Sequence, residues 1–345
     1  MTSSVVELGD LGPAELGAWR QLQRDDRRLA SPFLSPDFAT VVASHRPRAR
    51  VLVLDGPQPG FLPFEVQRMG MARALGFGLS DCQGLVVPAG AEPDGQRLLR
   101  SCGVLLWRFD HLLAHQAAAL GGNAVVVDSP LIDLEDGFEP YLAGRRAGSK
   151  SLLATAERKA RKLGREVGPL HFEPQARDHG LLDRLIEWKR QQYARTGVPD
   201  VLADPAVGAV LHDLLDHDGS EMRAPLSVLY AGDHPVALHL GLRSADELAW
   251  WLPTYDPAYA TYSPGVTFML RLAQWAAGVG VRRIDLGKGT EAYKERLRNG
   301  ARPIADGQLV RHGGRGAAAA ARSVRRRLRS ARSRVPALAG GEVGS

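Results

Sequence analysis

The chain has 345 residues, of which 44% are hydrophobic and 24% are charged, and its formal net charge is +6. This length favours two domains over a single core, and the apolar content allows each to be well packed. No apolar run approaches the roughly 18 residues of a transmembrane helix, and the N-terminus lacks the pattern of a secretory signal. These features predict a cytoplasmic protein.

The positive charge is concentrated at the C-terminus. Residues 311–345 hold nine arginines and one glutamate, a net charge of +8, so the rest of the chain carries −2. The basic balance is therefore no argument for nucleic-acid binding by the whole protein. We expect 313–345 to be a disordered tail in isolation, and its arginines are a candidate contact to an anionic membrane at its inner face.

Strands and helices alternate in the first part of the chain, which predicts an α/β domain over 1–145. Ser35 followed by Pro36 is typical of a helix start. Cys82 and Cys102 belong to no zinc-type spacing, so we expect reduced thiols and no metal. The predicted strands are 5–8, 51–54, 61–66, 84–87 and 104–109, and the predicted helices are 13–28, 35–45, 92–101 and 112–120.

The second predicted domain covers 146–312 and begins with a basic helix, 149–167, whose positive side chains suit either solvent or a phosphate-rich ligand. Three closely spaced strands then predict an antiparallel meander. His239 lies in the second of them and is expected in the core. The predicted strands are 226–231, 236–243, 247–254, 281–286 and 307–312, and the predicted helices are 181–195, 207–215, 264–277 and 291–298.

One short segment of this domain has the features of an anion site. Ser263 and Pro264 predict a helix start, and Gly265 lets a ligand approach the backbone closely. The amides of Gly265, Val266 and Thr267 would then point out of the helix end, where they can bind phosphate. An ordinary capped helix has the same pattern, so the motif alone does not decide.

Polar residues surround this helix in the sequence. Asp285 ends a strand and precedes the turn at Gly287, a position that lines ligand crevices in α/β sheets. Lys294 follows on the next predicted helix, and its ammonium can stabilise an anion. Each residue also fits a structural role: a helix cap for the carboxylate, solvent for the lysine. Tyr255, Tyr259 and Tyr262 can line an acceptor pocket or complete a core edge, and Trp251 and Gly287 are further candidates for binding the acceptor.

Taken in order, these motifs resemble a known family. The series Tyr-Asp-Pro, Tyr-x-x-Tyr-Ser-Pro-Gly, Asp-Leu-Gly-x-Gly and Tyr-Lys, over about residues 250–295, is similar to the GNAT-like acetyltransferases of the CelD/BcsL type, which are related to the FemAB peptidyltransferases. The resemblance implies two tandem GNAT-like domains of mixed α/β class, each with a mostly antiparallel sheet flanked by helices.

The resemblance also implies a chemistry. Acyl-CoA, most simply acetyl-CoA, would be the co-substrate, and a small-molecule or saccharide amine the acceptor. Ser263, Pro264 and Gly265 would bind the pyrophosphate. Asp285 would accept a proton or orient the amine, and Lys294 would stabilise the oxyanion. Tyr262 or Tyr293 would protonate the leaving thiolate.

Two alternatives stay open. The chain lacks the Gln/Arg-x-x-Gly-x-Gly/Ala loop of most GNAT proteins, so an aminoacyl-tRNA donor, as in peptidyltransferases, is the second hypothesis. The third is a non-catalytic scaffold held to a membrane or partner by 322–334. Other enzyme templates fail, because the sequence has no Gly-x-Ser-x-Gly elbow, no His-Glu-x-x-His motif and no P-loop.

Overall fold

The computed structural model describes residues 2–91, 93–148, 150–289 and 291–312. The predictions for the tail, 313–345, lie outside the described residues. The described chain forms two compact units: 2–29, 33–128 and 303–312 make the first, while Ala30–Pro32 and Ser129–Arg302 make the second. No helix among the described residues is long and apolar enough to cross a membrane.

The sheet of the first unit is antiparallel from β1 to β4, and β5 then pairs in parallel with β4. Its core includes Trp19, whose ring stacks on Phe61 at a centroid distance of 4.8 Å and whose Nε1 donates to the Leu34 carbonyl. The elements are β1 (Ser3–Val6), α1 (Pro13–Asp25), α2 (Pro36–Ser44), β2 (Ala49–Leu54), β3 (Gly60–Val66), β4 (Met71–Ala74), α3 (Gly95–Ser101), β5 (Leu106–Leu113) and α4 (Ala114–Ala119).

The second unit repeats this order of pairing. Its sheet is antiparallel from β7 to β10, and β11 pairs in parallel with β10. From residue 123 onward, the elements of the chain are β6 (Asn123–Asp133), α5 (Phe138–Gly148), α6 (Lys150–Glu166), β7 (Leu170–Ala176), α7 (His179–Thr196), α8 (Pro205–Asp216), β8 (Leu226–Ala231), β9 (His234–Arg243), β10 (Glu247–Tyr255), α9 (Pro264–Gly278), β11 (Arg283–Asp285), α10 (Ala292–Leu297) and β12 (Gly300–Val310).

The last strand of each repeat completes the sheet of the other unit. Residues 131–133 of β6 pair antiparallel with β11 in the second unit, and residues 304–310 of β12 pair antiparallel with β5 in the first. The predicted boundary after residue 145 falls inside α5, and the last strand, predicted with 146–312, lies with the first unit. A division of the chain at a single residue cannot describe the two units, because β6 and β12 each pair with strands from the other half of the sequence.

One predicted strand of the first unit, 84–87, is wrong. The segment makes only isolated bridges, Gln83 with Leu112 and Val86 with Phe61. A side chain replaces a neighbouring strand here: the Gln116 amide accepts from the Leu85 N–H and donates to the Leu85 carbonyl, both at 2.8 Å. The helix predicted from residue 112 begins at Ala114, because β5 continues to Leu113.

Helix α2 provides a test of the sequence-derived caps. The Ser35 hydroxyl accepts from the Phe38 N–H at 3.0 Å in a buried setting. We expect Ser35→Ala to lower the free energy of unfolding by about 1 kcal/mol, because the cap satisfies an otherwise unpaired amide. Urea unfolding measures this. The control Ser44→Ala, at an exposed hydroxyl at the end of the same helix, should stay within about 0.5 kcal/mol of the parent; equal losses in both variants would contradict the assignment.

Candidate functional site

Strands β10 and β11 of the second unit are paired over only three residues each, 247–249 with 283–285. A register irregularity follows Ala249, and β10 then continues to Tyr255. Over that stretch β9 is its only strand partner among the described residues, because β11 ends at Asp285. The far edge of β10 therefore opens into a crevice at the carboxyl ends of two parallel strands, where ligands bind in open α/β sheets.

A cavity of about 250 Å³, open to solvent on one side, lies at this opening. The walls come from α7, β9, β10, α9 and α10, with Trp250 and Phe268 among the apolar side chains and Thr254 and Tyr255 among the polar ones. The described side chains that line it are all uncharged. The arrangement suits an elongated, largely neutral ligand.

The N-terminus of α9 forms one wall of the cavity, through Ser263, Gly265 and Val266. Ser263 has φ 49° and ψ 55°, in the left-handed region that costs a non-glycine residue energy. Its hydroxyl makes no cap bond to the helix and instead accepts from Lys159 Nζ at 2.7 Å. A Cβ built on Gly265 would meet nothing within 4 Å. The helix thus begins where predicted, while the serine serves a different contact.

Helix α6 brings positive charge to this helix end. Besides Lys159, it carries Lys162, whose ammonium lies 5.7 Å from the centre of the Tyr262 ring. The Tyr262 hydroxyl donates to Glu166 Oε2 at 2.8 Å, and this bond to the carboxylate raises the pKa of Tyr262. Lys162 Nζ also lies 3.8 Å from Glu166 Oε2, so α6 brings both ammonium groups and a carboxylate to this helix end.

Asp285, the predicted proton acceptor, lies in a buried polar network and is only 4% exposed. Its Oδ1 accepts from Ser129 Oγ at 2.5 Å and from the Gly287 N–H at 2.9 Å. Its Oδ2 pairs with Arg302 Nη1 at 3.0 Å, and the same guanidinium binds both carboxylate oxygens of Glu247. Both oxygens of Asp285 are thus engaged, which favours a positioning role over proton transfer.

Lys294 is buried and holds the turn that follows β11. Its Nζ donates to the carbonyls of Gly287 and Lys288, each at 3.2 Å, and pairs with Glu291 Oε2 at 3.3 Å. Gly287 has a φ of 70°, the left-handed conformation that glycine adopts without strain. The lysine therefore fixes the backbone between β11 and α10.

Tyr293 is the one predicted acid–base residue that lines the cavity among the described residues. Its hydroxyl accepts from Trp250 Nε1 at 3.3 Å, so its own hydrogen remains available to a ligand. Burial raises the pKa of Tyr293 to about 12. The side chain is therefore a neutral phenol at physiological pH, and it can donate a proton.

Only some of the residues predicted for the site line the cavity. Trp251 is buried in β10, and Tyr259 and Tyr262 pack against the apolar core of the unit. The residues predicted for the site that line the cavity are Tyr255, Ser263, Gly265, Val266 and Tyr293, and those that do not are Trp251, Tyr259, Tyr262, Pro264, Thr267, Asp285, Gly287 and Lys294.

Helix α7 supplies residues that the sequence motifs did not indicate. Gln192 lines the cavity. Lys189 is 8% exposed, donates to the Pro253 carbonyl at 2.9 Å and lies 5.4 Å from the centre of the Tyr193 ring. The amphipathic pattern of α7 marks its buried face, but nothing local shows that this lysine reaches β10.

His239 is fully buried, as expected, and its ring stacks on Trp250 at a centroid distance of 4.4 Å. Neither ring nitrogen meets a partner with hydrogen-bond geometry among the described residues. The nearby Ala249 backbone acts to raise the pKa of His239, against the larger effect of burial. Burial lowers the pKa of His239 to about 3. The neutral ring therefore supports the cavity wall from behind.

Comparison with known proteins agrees with this geometry. Residues 150–295 match the family model of an acetyltransferase (GNAT) domain. A comparison with curated proteins gives no match.

Solved structures extend the likeness to both units. A conserved protein of unknown function from Bacteroides thetaiotaomicron has a TM-score of 0.54, with 12% identity over 86% of this chain and 98% of that one. A tandem GNAT protein from the clavulanic acid biosynthesis pathway has a TM-score of 0.50, with 12% identity over 91% and 99%. FemX has a TM-score of 0.50, with 9% identity over 75% and 87%. The predicted mixed α/β, tandem GNAT-like fold is confirmed, and the narrower CelD/BcsL type stays a prediction.

The buried network makes a stability prediction. We expect Arg302→Leu to lower the free energy of unfolding by about 3–5 kcal/mol, because Glu247 and Asp285 would keep buried charges without their shared cation. The control is Arg190→Leu, which removes an exposed pair with Asp200 and should cost less than about 1 kcal/mol. Urea unfolding distinguishes them; similar losses would show that the network contributes little.

Proposed function

We propose that this protein transfers an acyl group from acyl-CoA, most simply acetyl-CoA, to an amine. The observation that carries the proposal is the cavity at the open edge of β10, closed at one end by the N-terminus of α9. Its uncharged walls suit the neutral arm of a thioester donor, and its basic end suits the phosphates. The GNAT domain match over 150–295 covers these elements.

The phosphate end would be formed by three groups. The amides of Gly265 and Val266 belong to the first turn of α9 and border the cavity. The Lys159 ammonium, now on the Ser263 hydroxyl, lies beside them. Helix amides and an ammonium together recognise phosphate through hydrogen bonds and charge.

Acyl transfer asks for orientation, a proton donor and stabilisation of the oxyanion. The acceptor nitrogen would attack the thioester carbon, and backbone N–H groups on the unpaired edge of β10 would bind the carbonyl oxygen. As the carbon–sulfur bond breaks, Tyr293 would give its proton to the thiolate, and the proton lost by the amine would return through water to the Tyr293 phenolate. Asp285 and Lys294 would hold the strand end and turn that place these groups.

The acceptor class follows from the walls of the cavity. Gln192 and Tyr255 lie on α7 and β10 and offer neutral hydrogen-bonding groups. Without a lining carboxylate among the described residues, the cavity favours a neutral amine or an amino sugar over a polyamine. A small-molecule or saccharide amine is therefore the proposed acceptor.

A second donor remains a candidate because of one observation. Helix α6 exposes four further basic side chains near Lys159: Arg158, Arg161, Lys162 and Arg165. Such a face suits the phosphates of an aminoacyl-tRNA, whose transfer would be abolished by ribonuclease and weakened steeply by salt. Transfer from acyl-CoA would survive ribonuclease, so one assay separates the donors.

The glycine at the start of α9 gives a sharp test of the donor site. We expect Gly265→Leu to reduce CoA affinity at least about thirtyfold, because the new side chain would project into the open space that the ligand needs. Isothermal titration calorimetry measures this. The matched control is Gly278→Leu at the far end of the same helix, where a Cβ also meets nothing within 4 Å. Unchanged binding by Gly265→Leu, with its melting temperature retained, would rule out this donor site.

The contribution of the Lys159 ammonium to CoA binding can be tested separately. We expect Lys159→Ala to weaken CoA binding about tenfold, through loss of one charge-assisted contact. Arg161→Ala, which removes an exposed charge from the same helix, should change it less than about twofold. Calorimetry at low and high salt checks both. If Arg161→Ala weakened CoA binding as much as Lys159→Ala, general charge on α6 would replace the specific contact.

A further inference from the structure

The second unit has a histidine cluster outside the cavity, where α7 and α8 meet. His179 begins α7 and His212 lies on α8, and each helix carries an aspartate four residues after its histidine. The contacts cross between the helices: His179 Nε2 lies 3.0 Å from Asp216 Oδ1, and His212 Nε2 lies 3.0 Å from Asp183 Oδ1. The proposed acyl transfer uses none of these four side chains.

The inner nitrogens of the two rings converge. His179 Nδ1 and His212 Nδ1 are 2.7 Å apart, while the ring centroids are 5.0 Å apart and the ring planes differ by 12°. Because the nitrogens are much closer than the centroids, the nearly parallel rings meet edge to edge. The in-plane lone-pair positions of the two Nδ1 atoms therefore point toward each other.

The aspartates determine which nitrogen carries hydrogen. An ionised carboxylate only accepts hydrogen bonds, so the Nε2 atom of His179 and that of His212 must each donate. In the neutral rings, both Nδ1 atoms are then acceptors. Two acceptors at this separation repel each other unless a cation lies between them.

We propose that His179 and His212 form a binding site for a divalent transition-metal ion such as Zn²⁺ or Ni²⁺, which links α7 to α8. Imidazole nitrogen is a favoured ligand for these ions. Zinc–nitrogen bonds of about 2.0–2.1 Å in tetrahedral geometry place the two nitrogens about 3.3 Å apart, so the rings would separate by roughly 0.6 Å and turn until both lone pairs point at the ion. The side chains are 50% and 31% exposed, which leaves them room to move.

Asp216 and Asp183 would not bind the ion directly but would hold the histidines that do. A carboxylate on the second nitrogen of a metal-bound histidine fixes its tautomer and makes it a stronger ligand. The described residues contain no group of three or more metal-ligating side chains placed around one ion, so water would complete the coordination. The ion would steady the start of α7, the helix that also carries Lys189 and Gln192.

The test uses the full, untagged chain after removal of metals, titrated with NiCl₂ and ZnCl₂ in a calorimeter at about pH 7.5, where an ordinary histidine is neutral. We expect one ion per chain, and at least about tenfold weaker binding in both His179→Gln and His212→Gln. Asp216→Asn should weaken binding about tenfold through the outer contact. The control is His234→Gln, at an exposed histidine that starts β9, which should bind as the parent does.

A spectroscopic readout separates this site from binding elsewhere on the surface. The Cu²⁺-loaded chain should show electron paramagnetic resonance coupling to two imidazole nitrogens, and His212→Gln should reduce it to one. Circular dichroism checks that the variants fold. If neither ion bound with a Kd below about 1 mM, the proposal would be overturned. A proton shared by the two rings would then explain their short contact. Equal binding by the parent and His179→Gln would overturn it as well.

Discussion

The short pairing of β10 with β11 depends on one buried cation. Arg302, on β12, binds Glu247 at the start of the paired stretch of β10 and Asp285 at the end of β11. Two buried carboxylates would repel each other across neighbouring strands, and the guanidinium offsets that repulsion with directed hydrogen bonds. Ser129 and the Gly287 amide satisfy the remaining oxygen of Asp285. Pairing is thus secured for three residues, and the strands are free to part beyond them.

At the other end of the opening, the start of α9 carries positive charge. The first turn of α9 presents unpaired amides, and Lys159 places an ammonium against Ser263 at that same end. The left-handed conformation of Ser263 turns its hydroxyl away from the cap position, so the helix end stays unsatisfied by its own residue. The proposed donor site rests on these two features, the neutral walls of the cavity and the positive charge beside the start of α9.

The sequence motifs predicted where the helix and strand of the site lie, but they did not predict which side chains contact each other there. The start of α9 and the end of β11 are encoded locally, by Ser-Pro-Gly and by a strand followed by a glycine turn, so both were predictable. The partners of Asp285 were not, because Ser129 lies 156 residues before it and Arg302 lies 17 residues after it on another strand. Lys159, 104 residues before Ser263, was only one of several lysines and arginines on a basic helix. Side-chain partners distant in sequence follow from topology, which local patterns do not contain.

The two repeats differ at the start of the helix that lies between their parallel strands in the sequence. In the first unit, α3 lies between the parallel strands β4 and β5, as α9 lies between β10 and β11. Yet the Asp94 carboxylate accepts from the Arg97 N–H at 2.7 Å, and this bond to the backbone lowers the pKa of Asp94. A Cβ on Gly95 would also lie 2.3 Å from the Leu120 carbonyl oxygen. The first repeat therefore fills its helix end with its own negative charge and backbone, whereas in the second repeat Ser263 makes no cap bond and the space beside Gly265 is open.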